Sequence, residues 1–261
     1  LKKAESYNKK ALAWAEEFKA ERSKGYIFNN QAINYKKFSD SYLRRIDESP
    51  ADSIMLKDSA DFYLTLSLQN HEGALAVAKN LEDKFSELRI MVNIINIKNT
   101  FGEYDEALEI GIKAEELSKN LQSPVLVILL KRYLAHAYYK TGQLNRSLKY
   151  AQESHDLAKT NNMEQYVIET HKQLHQTYKM LGMLDKALFH IEALNAFNVR
   201  DGKLNQNKAF AEVEAKYQNV KKEKQILEQE NEILSLQQQN IKTQKQRNLI
   251  LGGAALIALF S

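Results

Sequence analysis

The chain has 261 residues, with 37 lysines and arginines against 33 aspartates and glutamates, and a formal net charge of +4. So weak a charge does not by itself indicate nucleic-acid binding, and the absence of cysteine excludes disulfides, thiolate zinc sites and a cysteine nucleophile. Nine glycines and two prolines are far below the roughly 7% and 5% of average usage. Turns are therefore scarce, which favours long helices over many strands.

Weak copies of a helical pattern occupy the first hundred residues. The repeated unit consists of two helices, and its first helix carries a small residue followed three positions later by an aromatic one. Ala32 and Tyr35 match these two positions. A second helix, following one over 58–68, is predicted from Ala74, Ala78 and Leu81. When these copies are counted together with the clearer ones downstream, we expect a half unit and about five repeats of a two-helix unit, ending near Arg200.

The clearest repeat surrounds Gly102, Gly142 and Gly182, which are 40 residues apart and lie between stretches with helical apolar spacing. Small and aromatic residues recur at matched distances from each glycine. The matched positions are Ile95, Ala135 and His175; Lys98, Tyr138 and Tyr178; Ala107, Ser147 and Ala187; and Ala114, Ser154 and Leu194. The pattern predicts stacked helix–turn–helix units over 1–200, because one helical hairpin cannot bury its apolar face alone.

A long helix is predicted over 205–248, where no glycine or proline occurs. It would be about 66 Å long at ~1.5 Å per residue. A heptad pattern predicts a coiled-coil dimer, with Asn231 as the polar seam residue that sets its register. The predicted seam consists of Phe210, Val213, Tyr217, Val220, Leu227, Asn231, Leu234 and Ile241. The alternative is a single solvated helix, or one that packs back on the repeats.

An uncharged apolar run over 249–261 follows a basic stretch over 242–248. Because a membrane span needs about 20 apolar residues, we expect the run to be the start of a transmembrane helix and the chain to be a piece of a longer protein. The basic flank alone would place the repeats in the cytoplasm. A buried helix is the alternative.

The sequence has no recognisable catalytic motif. A phosphate-binding loop, a dinucleotide-binding glycine motif and a nucleophile elbow are all missing. His171 and His175 are four residues apart, as metal ligands can be, but they fall at packing positions of the repeat. We therefore expect no catalytic residue, no metal and no cofactor in this chain.

The helix–turn–helix units resemble the tetratricopeptide repeat, whose usual period is about 34 residues; a period of 40 implies longer helices. In that family ligands usually lie along a concave face lined by the first helices. The resemblance implies a ligand-binding stripe made of Asn96, Asn99, Arg132, His136, Tyr139, Lys140, Lys172, Gln176 and Lys179. This basic, amide-rich stripe would hold an acidic peptide or a chain-terminal carboxylate. A solvated polar groove is the alternative.

The order of repeats, long helix and apolar run resembles the sensor regions of bacterial membrane-bound signalling proteins, as does the stretch 211–217. The resemblance implies a sensory region that binds a peptide or protein and relays the signal through a coiled-coil homodimer and a membrane span. The output would be a histidine kinase or, less often, a transcription regulator, with no nucleic-acid contact by this region. It implies the inner membrane of a bacterium, with the repeats in the periplasm. The alternative is a membrane-anchored scaffold or chaperone adaptor.

Overall fold

A computed structural model describes residues 2–48, 52–200, 218–219 and 221–244. All regular secondary structure in these ranges is helical, which confirms the predicted all-α class for the described part of the chain. The chain forms two compact units, Leu1–Thr177 and Tyr178–Ser261.

The helices follow one another through short turns. They are α1 (Lys2–Glu17), α2 (Glu21–Glu48), α3 (Ser53–Asn80), α4 (Lys84–Phe101), α5 (Tyr104–Ser118), α6 (Pro124–Lys140), α7 (Leu144–Thr160), α8 (Glu164–Met180) and α9 (Leu184–Arg200). Residues 221–244 form a further helix, α10. From α1 to α7 each helix packs on the next, and α4 also contacts α6. The first helices α4 and α6 are thus side by side, in a repeat-like helical arrangement.

The three predicted glycine turns are present, and each ends a first helix in the same way. Gly102, Gly142 and Gly182 have φ values of 82°, 75° and 71°, a left-handed conformation that favours glycine because it has no Cβ. In each turn the glycine amide donates to the carbonyl three residues before it, and the next amide donates to the carbonyl five residues before itself. The 40-residue spacing therefore corresponds to one repeated helix-ending turn.

A contact across each glycine turn joins the residue four before the glycine to the residue four after it. The first turn has a lysine–glutamate ion pair, and the other two have a cation over a tyrosine ring. The contacts are Lys98 Nζ with Glu106 Oε2 at 2.7 Å, Arg146 Cζ at 5.6 Å from the Tyr138 ring centroid, and Lys186 Nζ at 5.4 Å from the Tyr178 ring centroid. Lys98 thus takes the position that a tyrosine has in the other two turns, and its partner Glu106 takes the position that a cation has there.

The matched small residues pack between helices. Those that are fully buried are Ala107, Ala114, Ala135, Ser147, Ser154 and Ala187. The core of the first unit adds Leu88 and Ile95 of α4 and Leu130 and Leu134 of α6, which are buried together. Ser154 Oγ of α7 also donates to the Ile128 carbonyl of α6 at 2.9 Å, so this small residue bonds to the preceding helix as well as fitting against it.

The upstream half differs from the expected repeat count. Helix α3 has 28 residues, so Ala74 and Ala78 lie on the same helix as 58–68. Gly73 lies inside this helix, where a Cβ would be 3.3 Å from the Phe28 ring. This glycine allows α2 and α3 to approach closely, and a glycine inside a helix costs only about 1 kcal/mol. The described residues form α1 and four successive helix pairs instead of about five repeats.

Half of the predicted coiled-coil seam lies within α10. Leu227, Asn231, Leu234 and Ile241 are all exposed there, as are three apolar residues off that seam, namely Ile226, Ile233 and Leu236. Phe210, Val213, Tyr217 and Val220, together with the apolar run 249–261, lie outside the described residues. Among the helices that are described, none has the length and apolar character needed to cross a membrane.

Candidate ligand-binding groove

A pocket of about 460 Å³ opens between α4, α6 and α8 within the unit Leu1–Thr177. Eight of the nine residues of the predicted stripe line it, namely Asn96, Asn99, Arg132, His136, Tyr139, Lys140, Lys172 and Gln176. They converge because α4, α6 and α8 each turn the residues at the same distances from their glycine towards this pocket. Residues three, six and ten before the glycine share one face of a helix with 3.6 residues per turn.

The ninth predicted residue, Lys179, does not line this pocket. It belongs to the unit Tyr178–Ser261, where its Nζ lies 3.9 Å from Glu223 Oε1 at the start of α10. In the same region Lys224 Nζ lies 2.7 Å from Asp185 Oδ1 of α9. Lys179 is therefore part of an ion-pair cluster within this unit, in which the first turn of α10 pairs with Lys179 and with Asp185 of α9.

Four pocket residues were missed by the sequence analysis. They are Thr100, Tyr133, Glu169 and Gln173. The repeat register contains a signal for one of them, since Thr100 has the same position as the predicted Lys140 relative to its glycine. Tyr133 and Gln173 share a position with each other, nine residues before the glycine, but no predicted residue has that position. Glu169 comes a further turn earlier in α8 and likewise has no counterpart among the predicted residues.

The charge of the pocket is positive and only partly compensated. Arg132 Nη1 lies 2.9 Å from Glu169 Oε2 and forms an ion pair with it, but this buried oxygen accepts no hydrogen bond from the described residues. The Arg132 guanidinium also lies over the Tyr133 ring, 4.7 Å from its centroid. Lys140 and Lys172 are exposed and have no carboxylate partner among the residues that the structure describes. Two ammonium groups therefore remain available to an anionic ligand.

His136 adds a neutral polar group to the pocket wall. Burial lowers its pKa below the ordinary 6.5, and the nearby Lys140 ammonium lowers the pKa further, against the opposing effect of a hydrogen bond with Gln173. The imidazole is therefore mostly uncharged at neutral pH. A neutral imidazole offers one hydrogen-bond donor and one acceptor.

Asn99 presents a buried acceptor at the pocket. Its Nδ2 donates to the Tyr133 carbonyl at 3.0 Å, which fixes the orientation of the amide. Its Oδ1 is buried and, like Arg132 Nε, has no hydrogen-bond partner in the described part of the chain. Such an atom costs about 1–3 kcal/mol when it stays unsatisfied, so it favours a ligand that carries hydrogen-bond donors as well as negative charge.

The histidines singled out as possible metal ligands lie in packing positions. His175 is 7% exposed. The His171 ring meets the His155 ring edge-on with centroids 4.7 Å apart, and His155 Nδ1 lies 2.9 Å from Thr170 Oγ1. The pKa of His171 is lowered to about 4, mainly by burial and to a smaller extent by the charge of the neighbouring His155. Within 2–48, 52–200, 218–219 and 221–244, no group of three or more metal-binding side chains occurs.

Comparison with known proteins identifies a similar fold and no family. No family model matches the sequence, and no curated protein matches it significantly. Among solved structures, the chain is similar to the crystal structure of BtubC (BKLC) from P. vanneervenii, with a TM-score of 0.55 and 17% sequence identity. The match covers 75% of this chain and 83% of that one. At this identity the likeness concerns the helical fold alone.

Proposed function

We propose that this chain is a non-catalytic interaction region that binds an acidic segment of a peptide or protein partner in the pocket between α4, α6 and α8. The observation that carries the proposal is the convergence of eight predicted stripe residues on one pocket. Two of them, Lys140 and Lys172, supply ammonium groups that have no carboxylate partner in the ranges that the structure describes.

The proposal includes the tetratricopeptide type of repeat. The recurring left-handed glycine turns and the fully buried small residues at matched positions support it. The 40-residue period is longer than the ~34 residues usual for this repeat, and first helices such as the 17-residue α6 account for the extra length.

The chemistry of the pocket favours an acidic peptide over an apolar ligand. Charge-assisted hydrogen bonds from ammonium groups to carboxylates are about twice as strong as neutral ones. The amides of Asn96, Asn99 and Gln176 add groups that recognise a peptide main chain, which presents both donors and acceptors. An acidic peptide therefore satisfies both the charged and the amide groups.

We also propose that the pocket is the input of a sensor, and that α10 carries the signal towards a membrane span and a cytoplasmic output such as a histidine kinase. The ion pair between Lys224 and Asp185 supports a mechanical link between α9 and α10. The exposed apolar residues of α10 support pairing with a second copy of the chain. A ligand shifts such a switch only by its difference in affinity for the two states. Reading the coding sequence past Ser261 distinguishes a sensor from an anchored scaffold, because a sensor has an output domain after the span.

The binding test uses a fluorescein-labelled glutamate-rich peptide and fluorescence anisotropy. Lys140→Glu combined with Lys172→Glu replaces both available ammonium groups by carboxylates, and we expect the affinity to fall at least about tenfold, or 1.4 kcal/mol. The matched control is Lys57→Glu combined with Lys113→Glu, which makes the same change of net charge at exposed sites on α3 and α5 outside the pocket. Equal binding by the double variant and the control, with an unchanged helical circular dichroism signal, would refute the assignment.

A further inference from the structure

A second, smaller pocket lies beside the first in the same unit. It has a volume of about 150 Å³ and lies between α2, α3 and α4. Its polar lining comes from Lys36 and Lys37 of α2, His71 of α3, and Asn93 and Asn96 of α4. Asn96 also lines the larger pocket, so the two pockets share this side chain as a common wall.

The buried wall of this pocket is polar. His71 is 2% exposed, and its Nδ1 has no hydrogen-bond partner among the described residues. The pKa of His71 is lowered to about 4, mainly by burial and to a smaller extent by the charge of Arg89, so the ring is neutral at pH 7. Because a buried polar atom without a partner is costly, a neutral imidazole here suits a hydrogen-bonding ligand better than an apolar one.

The two lysines of this pocket differ in their partners. Lys36 Nζ pairs with Asp40 Oδ1, one turn further along α2. Lys37 is exposed and has no carboxylate partner in the described part of the chain. Lys37 thus resembles Lys140 and Lys172 of the larger pocket, and available ammonium groups lie on both sides of Asn96.

We propose that the smaller pocket is a second anion subsite of the same groove, and that the ligand is an extended segment with two separate acidic clusters. One cluster pairs with Lys37, and the other pairs with Lys140 and Lys172. The Asn96 amide contacts the peptide main chain between them. This inference rests on the proposed function, since it concerns the same groove and the same class of ligand.

The layout of the helices sets the distance between the two clusters. Neighbouring helix axes are about 10 Å apart. The smaller pocket lies between α2 and α4, whereas the larger is centred near α6, so their centres are on the order of 15 Å apart by the same spacing. An extended chain covers this distance in about five residues at ~3.3 Å each. The two clusters should therefore begin about five residues apart.

The test compares two labelled peptides of identical composition with the 261-residue chain. In Glu-Glu-Ser-Ala-Ser-Glu-Glu the acidic pairs are separated, and in Ser-Ala-Glu-Glu-Glu-Glu-Ser they are contiguous. We expect the separated peptide to bind at least about tenfold more tightly, because its second pair binds at a high effective concentration once the first is held. Lys37→Glu should remove this difference. The control Lys57→Glu, at an exposed site on α3 outside the pocket, should preserve it.

The outcomes separate this inference from the proposed function. Tighter binding of the separated peptide that is lost only in Lys37→Glu supports the second subsite. Equal binding of both peptides that is insensitive to Lys37→Glu but weakened by Lys172→Glu overturns the second subsite and leaves the proposed function standing. Failure of both peptides to bind the unaltered chain overturns both.

Discussion

The buried imidazole of His71 makes stability depend on pH, and replacing it should reduce that dependence. His71 lies in the wall of the smaller pocket, with Lys36 and Lys37 on α2 and Arg89 on α4 as the nearby cations. Its pKa is lowered from 6.5 to about 4 by burial, followed by the charge of Arg89. Protonation in the folded state would place a further cation among these groups in a desolvated site.

The sign and size of the effect follow from linkage. Above pH 6.5 the imidazole is neutral in both states, and its contribution to stability is fully present. As the pH falls below 6.5 the unfolded state takes up the proton first, so the free energy of unfolding falls until the folded state is also protonated near pH 4. At 1.36 kcal/mol per pKa unit the full loss is about 3 kcal/mol, and about 2 kcal/mol of it occurs by about pH 5.

The assay is urea denaturation of the wild type and His71→Gln at about pH 7.5 and about pH 5. Glutamine keeps a polar side chain of similar size and does not titrate. The wild type should lose about 2 kcal/mol more unfolding free energy than the variant between the two pH values, with the carboxylates acting equally on both. An equal loss in the two proteins would refute a buried, neutral His71.

Two further predictions concern packing and assembly. Gly111→Ala should lower the free energy of unfolding by about 1–3 kcal/mol, and with it the melting temperature, because the alanine Cβ would overlap the Leu134 side chain in the core. A rise in the melting temperature, as helix propensity alone predicts, would contradict this packing. Leu227→Lys with Leu234→Lys should abolish self-association of the chain in sedimentation at high micromolar concentration, whereas Gln229→Lys, at an exposed position off the predicted seam, should not. Only monomer in the unaltered chain would contradict the coiled coil.

The pocket was predictable because it follows from the repeat register. Gly102, Gly142 and Gly182 mark equivalent helix ends, so residues at equal distances before them share one face. Glu169 had no such signal, since its place opposite Arg132 depends on how α6 and α8 pack. Lys179 follows the register yet pairs with Glu223, a contact between distant parts of the sequence that no local pattern reveals.

The upstream helices were harder to predict for a related reason. The break expected between 58–68 and Ala74 contains Gly73, yet Gly73 lies inside α3, as Gly25 lies inside α2. A Cβ on Gly25 would lie 2.9 Å from Val77 Cγ1, and one on Gly73 would lie 3.3 Å from the Phe28 ring. A glycine that ends a helix and a glycine that admits a neighbouring helix look alike in a sequence, because both depend on the missing side chain. Only the packing of α2 against α3 distinguishes them.

The contacts across the three glycine turns bear on how such a chain can grow. In each turn the two partners lie four residues on either side of the glycine, so a segment of 40 residues whose ends lie between two turns carries both members of its own contact. Such a segment can be duplicated or deleted while every charged group and every tyrosine ring of these contacts keeps its partner. A crossover at the glycine itself would instead join Lys98 to Arg146 and place two cations together. Tandem duplication of whole segments is therefore tolerated, whereas recombination within a turn is penalised.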